Sequence, residues 1–442
     1  MTCPKEITNT LDRKSGYITI VKGSPGAGKT TFALELLKRY KDTGIYFSTR
    51  TSVNMLYDQF PWLIDVIDRD KFFEKIPGEI SSILEDSVRF EYTNKIEFIK
   101  ELYDLVNLIE GTPFIVLDSW EGIIGQIGER ETSALDMELL NVFKGIRANT
   151  VLVLERSIQT PLDYLVDGVI EIKDDEINGR KIREMYINKM RGVRINQFKY
   201  LITLNKGEFN YFEEFVEDYN SIVQLYPEDG ETKSYTSNVS FFKGSSSGLT
   251  DIITEYKKRS HIFFEIDEEV DPMDYSLLIL KIINDYIAKK GNIIMIEQKD
   301  DLIMLDEQKY PVEAIRLSEL AEKDADSTVL IDRLKKIVKA KKEPVLLINY
   351  YDGIERILGK DSEKWINLYL GDLSEYLIID ISSKDNPLRD RLANIASVHL
   401  KIKERNGCTI IYGVIPKSGI YVINKRRSEI DNTIDFDLVP IL

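Results

Sequence analysis

Eight consecutive residues near the N-terminus carry the clearest chemistry in the chain. Gly23, Ser24, Pro25, Gly26, Ala27, Gly28, Lys29 and Thr30 spell GSPGAGKT, which fits G-x-x-x-x-G-K-[ST] at every fixed position. The glycines let the backbone turn tightly and gather N–H groups around a phosphate at the positive end of a following helix. Lys29 then reaches the β- and γ-phosphates as a point charge, the Thr30 hydroxyl ligates Mg²⁺, and Thr31 continues the same turn. A second position is Asp118, which follows the apolar run Phe114–Leu117. A carboxylate at the C-terminal edge of a buried parallel strand is placed to hold Mg²⁺ through water beside such a loop. These residues predict a site for Mg²⁺ and ATP.

The surrounding elements must deliver these groups to one edge of a sheet. From Gly16 to about Gly207 apolar strands alternate with amphipathic helices, the pattern of a βαβ succession with a parallel sheet. The strands expected are Tyr17–Val21, Gly44–Ser48, Phe114–Asp118, Val151–Glu155, Gly168–Lys173, Arg183–Lys189 and Lys199–Leu204. Helices are expected over Thr30–Tyr40, Thr93–Glu110 and Ala134–Asn149.

The chain then repeats itself. PFIVLDSWEGIIGQIG at 113–128 matches PVLLINYYDGIERILG at 344–359, and Pro161-Leu162 before Val169–Lys173 matches Pro387-Leu388 before Val398–Lys403. The strand and helix flanking the glycine loop match His261–Ile266 and Tyr275–Lys289. A period of roughly 230 to 240 residues implies two domains of one fold, since solenoid repeats are far shorter. Where the first copy has GSPGAGKT the second has Asp267, Glu268, Glu269, Val270, Asp271 and Pro272, and Asp118 is answered by Asn349. Four carboxylates without glycines repel a phosphate, so the second copy is expected not to bind a triphosphate in the same way. The domains expected are 1–210, a connecting segment at 211–240, and 241–442.

Composition bounds the function. The 442 residues are 43% hydrophobic and 30% charged, with a net charge of −15, which does not favour non-specific binding of nucleic acid. No apolar run approaches the roughly 18 residues of a membrane span, and the N-terminal stretch lacks the apolar core of a signal peptide; the cytoplasm is the compartment expected. Cys3 and Cys408 offer no metal-ligand spacing. Trp62 reads as packing, and the basic runs Lys335–Lys342 and Lys425–Arg427 read as solvated surface.

GSPGAGKTTFALELL, FIVLDSWEG, LVLERS, DGVIEI and INKMRGVR resemble the RecA superfamily and, within it, the KaiC-like ATPases of archaea and bacteria. YFSTRTS at 46–52 and QFPWL at 59–63 look closest to the archaeal branch containing the gas-vesicle regulator GvpD. The resemblance covers residues 1 to 210, and the second half, from Phe242–Ile253 onward, resembles a degenerate copy. It implies an α/β fold of two tandem RecA-like P-loop domains with mainly parallel sheets. It also implies that Lys189 and Arg191, matching a Lys-x-Arg-Gly element, reach the γ-phosphate held by a neighbouring subunit.

One departure stands out. KaiC-like proteins carry paired glutamates just after the second strand, where this chain has Arg50 and Thr51. Arg50 cannot accept a proton at neutral pH; it either contacts phosphate or pairs with a nearby acid. Glu155 or Glu121 could substitute as the water-activating carboxylate. The reading that follows is an ATP-binding regulatory protein, a slow ATPase acting through protein partners or a homo-oligomer. The alternatives are a DNA recombination or repair ATPase and a non-hydrolysing scaffold.

Overall fold

The structure, a computed structural model, describes residues 3–68, 72–74, 88–89, 95–127, 132–215, 260–288, 292–297, 312–316, 327–341, 345–371, 376–427 and 434–442. The expected connecting segment beyond 215 and the stretch Phe242–Ile253 lie outside these residues. The chain divides into two compact units, Met1–Glu213 with Ile441–Leu442, and Glu214–Pro440.

The first unit runs α1 (Lys5–Arg13), β1 (Ile18–Gly23), α2 (Lys29–Arg39), β2 (Gly44–Ser48), α3 (Val53–Gln59), β3 (Phe72–Glu74), β4 (Val88–Arg89), α4 (Lys95–Val106), β5 (Phe114–Asp118), α5 (Trp120–Ile127), α6 (Thr132–Gly145), β6 (Asn149–Val153), α7 (Leu162–Leu165), β7 (Gly168–Ile177), β8 (Arg180–Met190), β9 (Lys199–Thr203) and β10 (Asn210–Phe212). Its sheet has the order β10-β9-β8-β7-β1-β6-β5-β2-β3-β4. Pairing is parallel from β7 through β1 to β4 and antiparallel from β7 out to β10.

Apolar runs make this sheet because both of its faces are covered. In β5, Phe114 and Val116 enter the core shared with Phe32, Leu36 and Leu37 of α2. The alternate residues Ile115 and Leu117 enter the opposite core with Phe98, Leu102, Leu139 and Phe143. Thus α2, which begins where the glycine loop ends, is clamped on one face while α4 and α6 cover the other. The antiparallel β7–β8 hairpin turns on Asn178 (φ 50°) and Gly179 (φ 73°), the pair that a two-residue turn with two positive φ values favours.

The second unit runs β11 (His261–Ile266), α8 (Pro272–Ala288), β12 (Asn292–Glu297), β13 (Val312–Arg316), α9 (Ser327–Lys339), β14 (Val345–Tyr350), α10 (Tyr351–Leu358), α11 (Ser362–Gly371), β15 (Leu377–Ser383), α12 (Arg389–Ile395), β16 (Val398–Arg405), β17 (Cys408–Ile415), β18 (Ile420–Arg427) and β19 (Ile434–Ile441). Its sheet order is β13-β12-β14-β15-β11-β16-β17-β18-β19. Among the described residues this repeats the first unit strand for strand, without a counterpart of β4. The β16–β17 hairpin even turns on the same dipeptide, Asn406 (φ 55°) and Gly407 (φ 76°).

Some expectations need correction. Both sheets are mixed, because the strands after β7 and after β16 return antiparallel. The strand expected at Val151–Glu155 runs from Asn149 to Val153, leaving Glu155 beyond it with its N–H turned to a side chain. Lys425 is not surface: its side chain is 9% exposed and pairs with Asp274 at 2.5 Å. Trp62 does pack, donating its indole N–H to the Gly207 carbonyl at 3.1 Å.

Candidate functional site

Building the site starts with the loop between β1 and α2. Gly28 sits at φ 107°, a conformation L side chains avoid, and a Cβ at Gly23 would stand 2.2 Å from the Ile172 carbonyl oxygen on β7. These two positions admit glycine for conformational and steric reasons respectively. Gly26, at φ 77°, has nothing within 4 Å of a Cβ, so the mouth of the loop between exposed Pro25 and the helix is open. Ala27 is buried, its N–H donating to the Ser24 carbonyl at 3.2 Å. Lys29 folds back across the loop, its ammonium donating to the carbonyls of Gly23 (2.8 Å) and Ser24 (2.9 Å). Burial lowers the Lys29 pKa against the opposing pull of Asp118 and Glu155. Thr31 is buried in the first turn of α2.

The end of β5 meets this loop directly. The Thr30 hydroxyl donates to Asp118 Oδ2 at 2.7 Å, and the Tyr46 hydroxyl donates to the same oxygen at 2.6 Å. Burial pushes the Asp118 carboxyl up, while the two hydroxyls and Lys29 pull it back. A hydroxyl and a carboxylate already in contact beside an ammonium are hard oxygen donors that fit Mg²⁺. Tyr46 escaped the sequence reading because a tyrosine in an apolar strand looks like ordinary β-propensity.

Beyond Asp118 stands a second group of polar residues. Arg50 pairs with Glu155 at 2.6 Å, and the other Glu155 oxygen accepts from the Ser119 hydroxyl at 2.7 Å. Of the two alternatives left open for Arg50, the acid partner is the contact seen in this structure. Both Glu121 oxygens accept the Glu155 backbone N–H, at 3.1 and 3.2 Å, and burial raises its pKa. Glu121 therefore ties the start of α5 to the end of β6.

Lys189 and Arg191 are engaged elsewhere within the unit. The Lys189 ammonium donates to the carbonyls of Asp163 (3.0 Å), Tyr164 (3.4 Å) and Val166 (2.7 Å) around α7. Arg191 pairs with Asp167 at 3.0 Å. Lys189 lines a cavity of about 540 Å³ with Lys22, Asp163, Glu171, Lys173 and Asn188. Sequence reasoning passed over Lys22, whose signal was a lone cation ending an apolar strand; it is buried and pairs with Asp163 at 2.6 Å.

The second unit shows what the same framework does without this loop. Asp167 and Ser397 donate their N–H groups to the carbonyls of Ile18 and His261, which sets β1 on β11 with Gly23 opposite Ile266 and Lys29 opposite Pro272. Val270 donates to the Asp267 carbonyl at 3.1 Å, repeating the Ala27–Ser24 bond. None of the residues from Ile266 to Pro272 has a positive φ, and Pro272, where α8 begins, has no N–H to offer. Asp267 is paired with Lys384 at 2.5 Å and Lys403 at 3.5 Å, and Asn349 donates to the buried Asp380 at 2.7 Å.

Comparison with known proteins agrees with this geometry. Residues 7–188 match the family described as "GvpD gas vesicle protein, P-loop domain". The chain is 25% identical over 310 residues to protein GvpD2 of Halobacterium salinarum, covering 67% of this chain and 61% of that one. It is 23% identical over 308 residues to GvpD1 of the same organism, covering 67% and 56%. A UPF0273 protein of Saccharolobus solfataricus is 24% identical over 229 residues, 48% of this chain and 81% of that one. The matched region thus spans about six tenths of the length of the two GvpD proteins. Among the described residues no helix is long and apolar enough to cross a membrane. Residues 7–188 thus match the GvpD P-loop domain family, and the chain that carries them is similar to the GvpD proteins over about two thirds of its length.

Proposed function

We propose that the first unit binds ATP with Mg²⁺ and that the protein is a nucleotide-dependent regulator acting through a protein partner or a second copy of itself. The observation that carries this reading is the contact between Thr30 and Asp118 beside Lys29. It brings a phosphate-binding cation and two hard oxygen donors to one sheet edge. Gly23, Ser24, Pro25, Gly26, Ala27, Gly28 and Thr31 form the cradle; Lys29 leaves its two carbonyls for the phosphate oxygens. When bound, Mg²⁺ neutralises charge on the β- and γ-phosphates. Tyr46 holds the Asp118 carboxylate in place for it.

The same edge argues for slow turnover. A general base contributes on the order of 10² to 10⁴-fold, and Arg50 and Thr51 follow β2 at the positions where KaiC-like proteins carry paired glutamates. Those two positions also favour a second reading, an ATP-dependent scaffold that does not hydrolyse. Lys189 and Arg191 serve in trans if copies assemble, each first leaving its present partner. The second unit is a decayed copy kept for packing or recognition.

Titration of Mg²⁺-ATP into the full chain tests the site. Lys29→Ala should weaken binding by at least about 100-fold, the loss expected when a charge-assisted contact to phosphate is removed. Equal affinity in that variant would overturn the assignment. Phosphate release by the intact chain then separates a slow ATPase from a scaffold.

A further inference from the structure

Arg50 and Glu155 come from loops on either side of β5. Arg50 lies two residues beyond β2, Glu155 two residues beyond β6, and β5 is hydrogen-bonded to both strands. Their ion pair therefore spans the end of β5, where Asp118 stands. A γ-phosphate held by Lys29 and Thr30 would arrive at that same end.

The pair is built to part cheaply. The Arg50 side chain is 67% exposed and that of Glu155 28%; water can solvate both ends, and exposed pairs contribute little stability. By contrast Lys22 and Asp163, with side chains 5% and 10% exposed, cannot separate without leaving a buried charge. When Arg50 departs, Glu155 keeps the Ser119 hydroxyl on its other oxygen. The remaining guanidinium donors match the oxygens of a phosphate better than an ammonium could. Asp118, Glu155, Glu121 and Arg50 all lie within electrostatic reach of Lys29.

We propose that Arg50 and Glu155 form a latch that reads the nucleotide state: Arg50 moves to the γ-phosphate of a bound triphosphate and stays on Glu155 when a diphosphate is bound. The proposal rests on the reading that the first unit binds nucleotide. Glu155 competes with the γ-phosphate for one guanidinium, so the two ends of this ion pair have opposite effects on triphosphate affinity.

The test is calorimetric titration of the full chain with the Mg²⁺ complexes of ADP and of the non-hydrolysable analogue AMP-PNP. Arg50→Gln should weaken AMP-PNP about tenfold while leaving ADP within about twofold, the size of one charge-assisted contact. Glu155→Gln should tighten AMP-PNP about threefold or more, again sparing ADP. An ion pair with only a structural role would shift both variants in the same direction, and for both nucleotides. That outcome, or no shift in either variant, overturns the latch while Lys29→Ala still weakens the binding of both nucleotides. If Lys29→Ala binds both nucleotides like the parent chain, the nucleotide reading falls and the latch falls with it.

Discussion

The two units share one strand order and differ in the few residues that could touch a phosphate, so the framework and the chemistry of this protein can be separated. Both sheets turn their hairpins on Asn-Gly, and both close the loop after the central strand with one N–H to the carbonyl three residues back. The same structural carboxylate recurs: Glu121 accepts the Glu155 N–H as Asp352 accepts that of Ser383, at 2.9 Å. Below the loop the charges are inverted. Lys22 pairs with Asp163 and lies across from Glu171 on β7, whereas Glu265 pairs with Arg389 at 3.2 Å and with Lys401 at 2.9 Å on β16. A buried ion pair specifies that its members be opposite, and either sense will do.

The sharpest way to break this comparison is to invert one charge alone. Lys22→Glu would bury a third carboxylate beside Asp163 and Glu171, and should destabilise the first unit by about 3–5 kcal/mol, the cost of breaking a buried pair. Adding Asp163→Arg and Glu171→Lys rebuilds the arrangement of the second unit and should recover most of that loss. Urea unfolding followed by a probe confined to the first unit checks both. If the triple variant is no more stable than Lys22→Glu, the two clusters are not interchangeable and the correspondence fails.

A smaller effect is expected at the loop entrance, where Gly23 answers Ile266. Gly23→Ala forces a Cβ against the Ile172 carbonyl and should cost roughly 1–3 kcal/mol in local strain, together with a loss of nucleotide affinity. In the second unit the corresponding side chain is core, 7% exposed, and Ile266→Val should cost about 0.5–1.5 kcal/mol with no effect on nucleotide. Melting curves paired with the ATP titration read both. An undisturbed Gly23→Ala would mean that the loop is free to move away from β7.

What the sequence disclosed follows from how local each signal is. GSPGAGKT specifies its own backbone, and Phe114–Asp118 carries its own periodicity; both were legible, as was the repeat that set Asn349 on Asp118. Arg50 and Glu155 lie more than a hundred positions apart, and their pairing depends on β2 and β6 flanking β5, which no spacing announces. Tyr46 and Lys22 look like a strand aromatic and a strand-end cation until the neighbouring strands are in place. β3 and β4, three and two residues long, carry too few side chains to show a period. Lys425 reads as surface from the sequence because Asp274, its buried partner, comes from a helix on a distant stretch of chain.

The last comparison is one of pH. Burial acts to raise the Glu265 carboxyl, but contacts from His399 and Lys401, and then from Arg389, outweigh it and hold it at about 2 against an ordinary 4.5. A folded value below the unfolded one means that this stabilisation is complete above pH 4.5 and drains away as pH falls toward 2. Asp118 has the opposite sign: raised mainly by burial, it favours the fold below its ordinary 3.8, and that contribution is lost as pH rises through the raised value. Acid should therefore loosen the second unit through Glu265 over a range in which Asp118 does not weaken the first. Glu265→Gln should flatten the pH dependence of second-unit stability between 4.5 and 2, while Asp118→Asn leaves the acid limb of that unit unchanged. If the slope in Glu265→Gln equals that of the parent chain, the inverted cluster does not hold its carboxylate as the geometry requires.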